Sequence, residues 1–328
     1  MNGRLEHELR IESGIEAKLN KMPSYCTDWF LNMKASDKTA ATCRTYIDRI
    51  YGFLEYVDKD VKHISVSDIN RNNVTSYFTS IKTKKDKDGN LAATSDSYQQ
   101  LVWSSLNLFF DYLVEIGQME TNLISLIKKP KNRDLSRINQ NRILLTKDDF
   151  KKILNAAKHI TNKQTARDTA ILMIFMTTGM RRSALANINM DDIDFNNHVL
   201  TVIDKGDIRH EYILNESTEN AIKKWIDYRA DFKNANNSMA LFMSNKGNRI
   251  STDAIYEAVE KYCYMALGKK ISPHKLRSGF CSIMYDKTHD IEFVRRAVGH
   301  SNVATTQRYI VTGGEERKKV AVFMDDLT

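Results

Sequence analysis

Hydrophobic positions recur at helical spacing along most of the chain, and breaks in this pattern are rare. Only three prolines interrupt it, namely Pro23, Pro130 and Pro273. Because proline ends or kinks a helix, this scarcity predicts a mainly α-helical protein. Each proline also marks a change of pattern, so we expect boundaries of elements or domains at these points.

The stretch after Pro23 has the periodicity of a small helical bundle. Apolar residues three or four apart predict four helices, near residues 23–34, 37–57, 67–82 and 94–116. Ser67 and Thr94 are the predicted N-cap residues of the last two. The charged segment 82–90 between them is predicted as a solvated loop, with a finger that contacts phosphate as the alternative. Residues 1–22 have a weaker helical pattern, which predicts a loose helical extension that docks on a neighbour.

A second domain is predicted from Leu145 onward. Thr146 is placed to cap a helix, and the apolar run near 165–178 predicts a buried helix that Gly179 ends. Residues 198–203 and 208–214 alternate between apolar and polar side chains, as the two strands of a β-hairpin do. Lys205, Gly206 and Asp207 would form the turn of that hairpin. The predicted fold is therefore mainly α with a small β-hairpin or sheet, in two domains.

Composition is consistent with two globular cores. The chain has 328 residues, of which 42% are hydrophobic and 27% charged, unlike a disordered chain. The net charge of +8 suits a polyanionic partner, although such a charge is also common in proteins that bind no nucleic acid. No apolar run reaches the ~18 residues that a membrane helix needs, and the N-terminus is too charged for a signal peptide. We therefore expect neither membrane insertion nor secretion, and a cytoplasmic location.

The cysteine and acidic residues give no sign of a bound metal. The four cysteines form no CxxC pair, which predicts reduced, buried thiols at Cys26, Cys43, Cys263 and Cys281. Neither HExxH nor a paired-carboxylate spacing is present. No metal and no cofactor are expected.

Most of the candidate chemistry lies between residues 271 and 310. Ser272 and Pro273 predict a helix start, with serine as N-cap and proline in the first position, so His274 and Arg277 share a face of the first turn. A helix N-terminus favours an anion such as phosphate, because its N–H groups and the positive end of the helix dipole point outward. Further on, Gly299 is predicted to end a second helix.

His300 follows that glycine directly, and Ser301 is predicted to cap a third helix that carries Tyr309 about two turns later. Taken singly, these features have ordinary explanations. An HxxR pair is common on a solvated helix face, and a tyrosine near a C-terminus usually packs against its own domain.

In their order along the chain, SPHKLR, VGHS and TTQRY resemble the C-terminal signature of the tyrosine recombinase (phage integrase) family. The earlier stretch TGMRRSAL resembles the first arginine motif of that family. The resemblance implies six catalytic residues, which are Arg181, Lys205, His274, Arg277, His300 and Tyr309. The family usually has an acidic residue where this chain has Ala184, so another group must hold the arginine and histidines in place.

The roles of these residues follow from the resemblance and from phosphodiester chemistry. Arg181 and Arg277 would neutralise the non-bridging oxygens, because guanidiniums stay charged and bind oxygens in pairs. Tyr309 would be the nucleophile that forms a 3′-phosphotyrosyl bond. His274 would act as the base and Lys205 as the acid. His300 would bind or orient the phosphate.

The resemblance also implies a domain order. An N-terminal helical extension (1–22) precedes a helical core-binding domain that binds DNA (23–127), a basic linker (128–144), an α+β catalytic domain (145–310) and a docking tail (311–328). In the linker, the candidate DNA-binding residues are basic and would follow the phosphate backbone, namely Lys128, Lys129, Lys131 and Arg133. A flexible tether whose charge keeps it solvated is the alternative.

The expected partners are double-stranded DNA with inverted half-sites and further copies of the same chain. A homotetramer would hold two DNA sites, with each tail docked on the neighbouring protomer; a tail folded onto its own domain is the alternative. The predicted function is site-specific recombination without ATP or metal, by the integrase or transposase of a bacterial mobile element. The alternatives are a chromosome or plasmid dimer resolvase, a type IB topoisomerase, and a DNA-binding regulator that has lost catalysis.

Overall fold

The computed structural model of the protein describes residues 3–85, 89–130, 145–158, 162–203 and 209–299. These residues belong to two compact units, one within Arg4–Ile138 and the other within Asn139–Thr328. Both units are mainly helical, and each contains one small antiparallel sheet. The predicted fold class is therefore confirmed, whereas the predicted domain boundaries stay a proposal. No helix in the described ranges is long and apolar enough to cross a membrane.

The first unit is a helical bundle. Its helices α1 to α5 span Gly3–Leu19, Ser24–Ala35, Ala40–Val57, Arg71–Ser80 and Asp96–Glu115. Short 3₁₀ turns lie at Val61–His63, Val66–Asp68 and Leu123–Leu126. The four helices predicted after Pro23 are thus confirmed. Their core is aromatic, with Phe53, Phe109 and Phe110 fully buried and Trp29 set edge-on to Phe109 at a centroid distance of 5.0 Å.

Two predicted helix caps are wrong, one by three residues and the other by one. Asn70, not Ser67, caps α4, and its side-chain oxygen accepts hydrogen bonds from the backbone N–H groups of two residues. Ser95, not Thr94, caps α5. The Thr94 hydroxyl instead donates to the carbonyl of Ile81 at 2.6 Å, so a contact outside the helix determines which of two adjacent hydroxyl residues becomes the cap.

The N-terminal helix α1 is part of the first core. Ile11, Ile15 and Leu19 are buried in the same cluster as the aromatic residues of α3 and α5. Leu5 and Leu9, nearer the N-terminus of the helix, are exposed. The C-terminal half of α1 is therefore a packed element of this unit, in contrast to the loose extension that we expected.

Segment 82–90 is not simply a loop. Strand β1 (Thr83–Lys85) pairs in antiparallel register with β2 (Leu91–Ala93), with Thr83 opposite Ala93. The backbone N–H of Thr94 donates to the carbonyl of Lys82 at 2.9 Å and closes the ladder. The residues of β2 are all exposed. The described side chains of both strands are exposed, so they lack the apolar alternation by which strands are recognised, which explains the wrong prediction.

The second unit combines helices with a three-stranded sheet. Helices α6 to α12 span Lys147–Lys158, Lys163–Thr178, Arg182–Asn187, Glu216–Arg229, Thr252–Leu267, Pro273–Thr288 and Ile291–Val298. Strands β3 to β5 span Ile193–Asp194, Val199–Ile203 and Arg209–Ile213, in that spatial order and antiparallel. The predicted hairpin is confirmed as β4 and β5, with Ile203 opposite Arg209. Strand β3 was not predicted, because two residues are too few for an alternation to be seen.

Helix α7 is the centre of the second core. Twelve of its sixteen residues are buried, which confirms the buried helix predicted near 165–178. The helix ends at Gly179 with φ +62°, the left-handed conformation that glycine adopts readily. A methyl group placed on Gly179 would come within 2.5 Å of Phe280 Cδ1 on α11. This close approach positions the start of α8 beside α11.

All four cysteines are free and buried, as predicted. Burial raises the thiol pKa to about 12 at Cys263 and to about 11 at Cys281. It also raises the thiol pKa of Cys26 and Cys43. Since the thiolate is the reactive form, these groups are structural thiols rather than nucleophiles.

Candidate functional site

Helix α11 begins as the sequence predicts. The Ser272 hydroxyl accepts a hydrogen bond from the Lys275 N–H at 3.4 Å, and Pro273 occupies the first helical position. This start places His274 and Arg277 three residues apart on the first turn. The two side chains differ in environment, since His274 is exposed and Arg277 is only 3% exposed.

Arg277 ties the ends of two other helices to α11. Its Nη1 donates to the carbonyl of Gly179 at 2.7 Å, and its Nη2 donates to the carbonyl of Val298 at 2.8 Å. Gly179 ends α7, and Val298 is the last residue of α12. A buried guanidinium requires such acceptors, because burial of a charge without hydrogen bonds is strongly unfavourable. The bonds therefore fix the guanidinium in position between three helix termini.

Arg181 contacts the same turn at the end of α12. It is the N-cap residue of α8, and it follows Gly179 by two residues. Its Nη1 and Nη2 atoms both donate to the carbonyl of Gly299 at 3.4 Å, so this contact is long. Two successive carbonyls thus accept hydrogen bonds from the two candidate arginines, Val298 from Arg277 and Gly299 from Arg181.

A cavity of about 520 Å³ opens between α8, α10 and the start of α11. It brings together three of the predicted site residues, Arg181, His274 and Arg277. The remaining lining residues come from the α8 and α10 segments and the start of α11, namely Met180, Arg182, Ser183, Thr252, Tyr256, Ser272 and Pro273. Three arginine side chains and an imidazole at a helix N-terminus form a site suited to a phosphate group.

Arg182 and Tyr256 were not predicted as site residues. The Arg182 guanidinium lies 5.8 Å from the centroid of the Tyr256 ring and 3.9 Å from the Asp253 carboxylate. The doubled arginine in TGMRRSAL was the available sign for Arg182. For Tyr256 the sequence offers no sign, since a tyrosine within an amphipathic helix is usually packing.

His274 has an imidazole that favours the neutral form. Partial desolvation of the ring, and then the positive charge of Arg277, lower the pKa of His274 below its ordinary value of 6.5. A neutral imidazole can accept a proton, whereas an imidazolium cannot. Desolvation first, and then the charge of the arginine that would bind the phosphate, therefore favour a proton acceptor at this position.

Ala184 stands where the family usually has an acidic residue. It is only 5% exposed, and its side chain packs in the hydrophobic core of the second unit. Backbone carbonyls are among the groups that hold the two arginines instead, those of Gly179, Val298 and Gly299. The sequence could not identify them, because every residue carries a carbonyl.

Several predicted site residues lie outside the described residues. These are Lys205, His300 and Tyr309, the linker residues Lys131 and Arg133, the helix that Ser301 would cap, and the tail 311–328. In the described part of the linker, Lys128 and Lys129 are exposed, and Lys129 Nζ lies 5.3 Å from the centroid of the Trp103 ring. The catalytic roles of the six predicted site residues and the DNA-binding roles of the four predicted linker residues stay proposals.

The sequence left His210 without a role, yet its ring lies against Gly299, whose carbonyl accepts from Arg181. A methyl group placed on Gly299 would come within 2.5 Å of His210 Nε2 and 2.6 Å of its Cε1, so the imidazole packs on the backbone of that glycine. Only the folded chain brings strand β5 to the end of α12.

Comparison with known proteins finds a family match over the part of the chain that contains this cavity. Residues 144–313 match the sequence model of the phage integrase family. The tyrosine recombinase XerC of Caldanaerobacter subterraneus subsp. tengcongensis is 36% identical over 210 residues, which cover 63% of this chain and 56% of that protein. The chain thus matches a little over half the length of that relative.

Two solved structures share the fold over most of the chain. The XerH site-specific recombinase bound to palindromic difH substrate, in a post-cleavage complex, superimposes with a TM-score of 0.66 at 21% identity and covers 89% of this chain and 82% of that one. The Tn1549 transposon integrase in complex with transposon right end DNA gives a TM-score of 0.62 at 17% identity, over 92% of this chain and 98% of that one. At these identities the likeness establishes the fold.

Proposed function

Because this chain belongs to the phage integrase family, the tyrosine recombinases, we propose that it cleaves and rejoins DNA strands through a 3′-phosphotyrosyl intermediate. Membership of this family confirms the predicted class of enzyme, a site-specific recombinase, at the level of the family. One observation carries the proposal for this chain. Arg181, His274 and Arg277 converge on one cavity at the N-terminus of α11.

The proposed reaction conserves the energy of the phosphodiester. The Tyr309 phenol oxygen attacks phosphorus and gives up its proton, the bond from phosphorus to the 5′-oxygen breaks, and the leaving oxygen takes a proton to become a 5′-hydroxyl. His274 accepts the phenol proton and Lys205 supplies the other. Attack by a 5′-hydroxyl of a second duplex reverses these steps and exchanges the strands. No nucleotide triphosphate is consumed.

The two arginines would stabilise the transition state, in which negative charge grows on the non-bridging oxygens. Arg277 suits this role, since its buried guanidinium is held by carbonyl oxygens at 2.7 and 2.8 Å and needs little reorganisation. Arg181 faces the same cavity from α8. His300, the residue after Gly299, would also contact the phosphate.

The proposed substrate is double-stranded DNA with inverted half-sites. The XerH structure contains a palindromic difH substrate and the Tn1549 integrase structure contains transposon right end DNA, which supports a duplex substrate here. The basic linker, with Lys128 and Lys129 exposed, would follow the backbone between the two domains. A homotetramer with tails 311–328 docked in trans would hold two such sites together, because strand exchange requires two duplexes.

We further propose that the chain acts on a bacterial mobile element. The likeness to a transposon integrase over 92% of the chain supports this assignment. The second candidate, resolution of chromosome or plasmid dimers, is favoured by the XerC relative. Recombination assays on plasmids that carry the DNA flanking the gene would distinguish them. Joining of the two element ends supports the first function, and exchange at a single site shared by two replicons supports the second.

A nicked suicide substrate tests the chemistry itself. Wild-type protein should form a covalent protein–DNA adduct, while Tyr309→Phe should bind the same DNA with unchanged affinity and form none, because only the phenolic oxygen is removed. Protease digestion and mass spectrometry should locate the nucleotide on Tyr309. An adduct that persists in Tyr309→Phe would refute the proposed nucleophile.

A further inference from the structure

The imidazole of His210 packs directly on the turn that ends α12. Its Nε2, Cε1 and Cδ2 atoms lie 2.5, 2.6 and 3.1 Å from the point where a Cβ atom of residue 299 would stand. Gly299 has a φ of +66°, so the turn is in the left-handed region as well. This glycine is thus required twice, by its backbone conformation and by the ring that fills the space beside it.

The same turn carries the hydrogen bonds of both arginines. The carbonyl of Val298 accepts from Arg277, and the carbonyl of Gly299 accepts from Arg181. A shift of the turn would move both guanidiniums. Whatever fixes this turn therefore also determines where the two positive charges lie.

His210 is itself held by the sheet. It stands opposite Val202 on β4, and strand alternation puts its side chain on the same face as Tyr212, which is buried in the second core. The His210 and Tyr212 rings are 6.4 Å apart between centroids. Glu211, between them, is exposed and points to the other face, where it pairs with Arg209 at 3.2 Å. The imidazole is thus a rigid contact from the sheet rather than a mobile surface group.

We propose that His210 is a positioning residue for the recombination reaction, which braces the Val298–Gly299 turn and thereby places Arg181 and Arg277 against the phosphate. This role rests on the proposed function. It acts through packing of the ring on the glycine backbone, not through contact with DNA.

A double-mutant cycle tests the contact. Gly299→Ala should slow single-turnover cleavage of the suicide substrate by about 100-fold, because the new methyl group displaces the ring and the left-handed turn is strained. His210→Ala alone should slow it by about 10-fold. In the His210→Ala background the added loss from Gly299→Ala should fall to about 10-fold or less, because the methyl group then meets empty space. Losses that multiply independently would overturn the proposed contact.

A change of substrate tests the role. In a methylphosphonate linkage one non-bridging oxygen is replaced by a methyl group, so the linkage is neutral and the charges of the arginines matter less. The loss caused by His210→Ala, measured against wild type on the same substrate, should shrink from about 10-fold on phosphodiester to about threefold or less on methylphosphonate. Arg181→Ala should show the same trend. An equal loss on both substrates would mean that His210 does not act through the arginines.

Two controls keep the outcomes distinct. Glu211→Gln changes the next residue of β5 on the opposite face and should cleave both substrates at the wild-type rate. His210→Phe keeps a ring against Gly299 and should restore most of the rate that His210→Ala loses; failure to restore it, with DNA affinity and thermal unfolding unchanged, would overturn the packing role. Absence of any tyrosyl adduct with wild-type protein would instead overturn the proposed function, and this inference with it.

Discussion

The guanidinium of Arg277 donates to the carbonyl of Gly179, 98 residues earlier in the chain, at 2.7 Å. This bond joins the first turn of α11 to the glycine of the TGMRRSAL motif, two residues before Arg181. The two arginine motifs are therefore joined by a hydrogen bond from a side chain to a backbone carbonyl, as well as by a shared cavity. Substitution at either end should therefore disturb both.

Arg277→Lys is expected to reduce the rate of covalent adduct formation by about 100-fold or more, because an ammonium cannot reproduce a fork that reaches two carbonyls and a phosphate. It should also lower the free energy of unfolding by about 1–3 kcal/mol, since a buried carbonyl loses its donor. Suicide-substrate kinetics and urea denaturation measure the two effects. Arg296→Lys, on the exposed side of α12, is the matched control and should change neither.

Gly179→Ala should destabilise the protein more than the same change at Gly268. Both glycines end a helix in the left-handed region, with φ of +62° and +63°. At Gly268 the new methyl group meets nothing within 4 Å, so only the backbone term of about 1 kcal/mol applies. At Gly179 it meets the Phe280 ring at 2.5 Å, which should add about 1–3 kcal/mol. Equal losses in urea denaturation would show that α11 moves away freely.

The rate of cleavage should decrease at low pH, and we expect protonation of His274 to cause this acidic limb of the pH–rate profile. Because desolvation and Arg277 lower its pKa, the imidazole remains a base until the pH falls below the ordinary histidine value of 6.5. The limb should therefore lie below that value in a single-turnover pH profile. It should vanish in His274→Gln and persist in His289→Gln, which changes the histidine that ends α11. An unchanged limb in His274→Gln would assign it to another group.

The same shift affects stability with a definite sign. Protonation is harder in the folded state than in the unfolded state, so the unfolded chain binds more protons as the pH falls through 6.5. The contribution of His274 to stability is complete above that value and is lost below it. Denaturation of wild type and His274→Gln across this range should show less loss on acidification in the variant. A greater loss in the variant would contradict the sign of the shift.

Binding to DNA should depend on salt through the linker. Each phosphate contact that is lost should flatten the slope of log affinity against log salt by about 0.9. Replacement of Lys128, Lys129, Lys131 and Arg133 by glutamine should therefore reduce the slope by about 2 or more. The double substitution of Lys82 and Lys84 by glutamine, in the exposed hairpin of the first unit, is the comparison. A change of slope in the hairpin variant and none in the linker variant would show that the hairpin contacts phosphate and that the basic linker does not.

Local features of this protein could be predicted from the sequence. The Ser272 cap, the first-turn pair His274 and Arg277, and the left-handed ends at Gly179 and Gly299 each depend on residues within a few positions of one another. Helix periodicity and capping act over that same distance, so the pattern of side chains is sufficient. The family motifs also allowed Arg181 and the fold class to be predicted, and the predicted fold class is confirmed.

The long-range contacts were decided only by tertiary structure. The hydrogen bond from Thr94 to Ile81, the bonds from the two arginines to backbone carbonyls, and the contact of His210 with Gly299 all join segments that are distant in sequence. A backbone carbonyl has no identity in a sequence, and a histidine on a strand has no recognisable partner. Packing of the sheet and helices brings these groups together, because burial of the apolar faces determines which strand and which helix end come into contact.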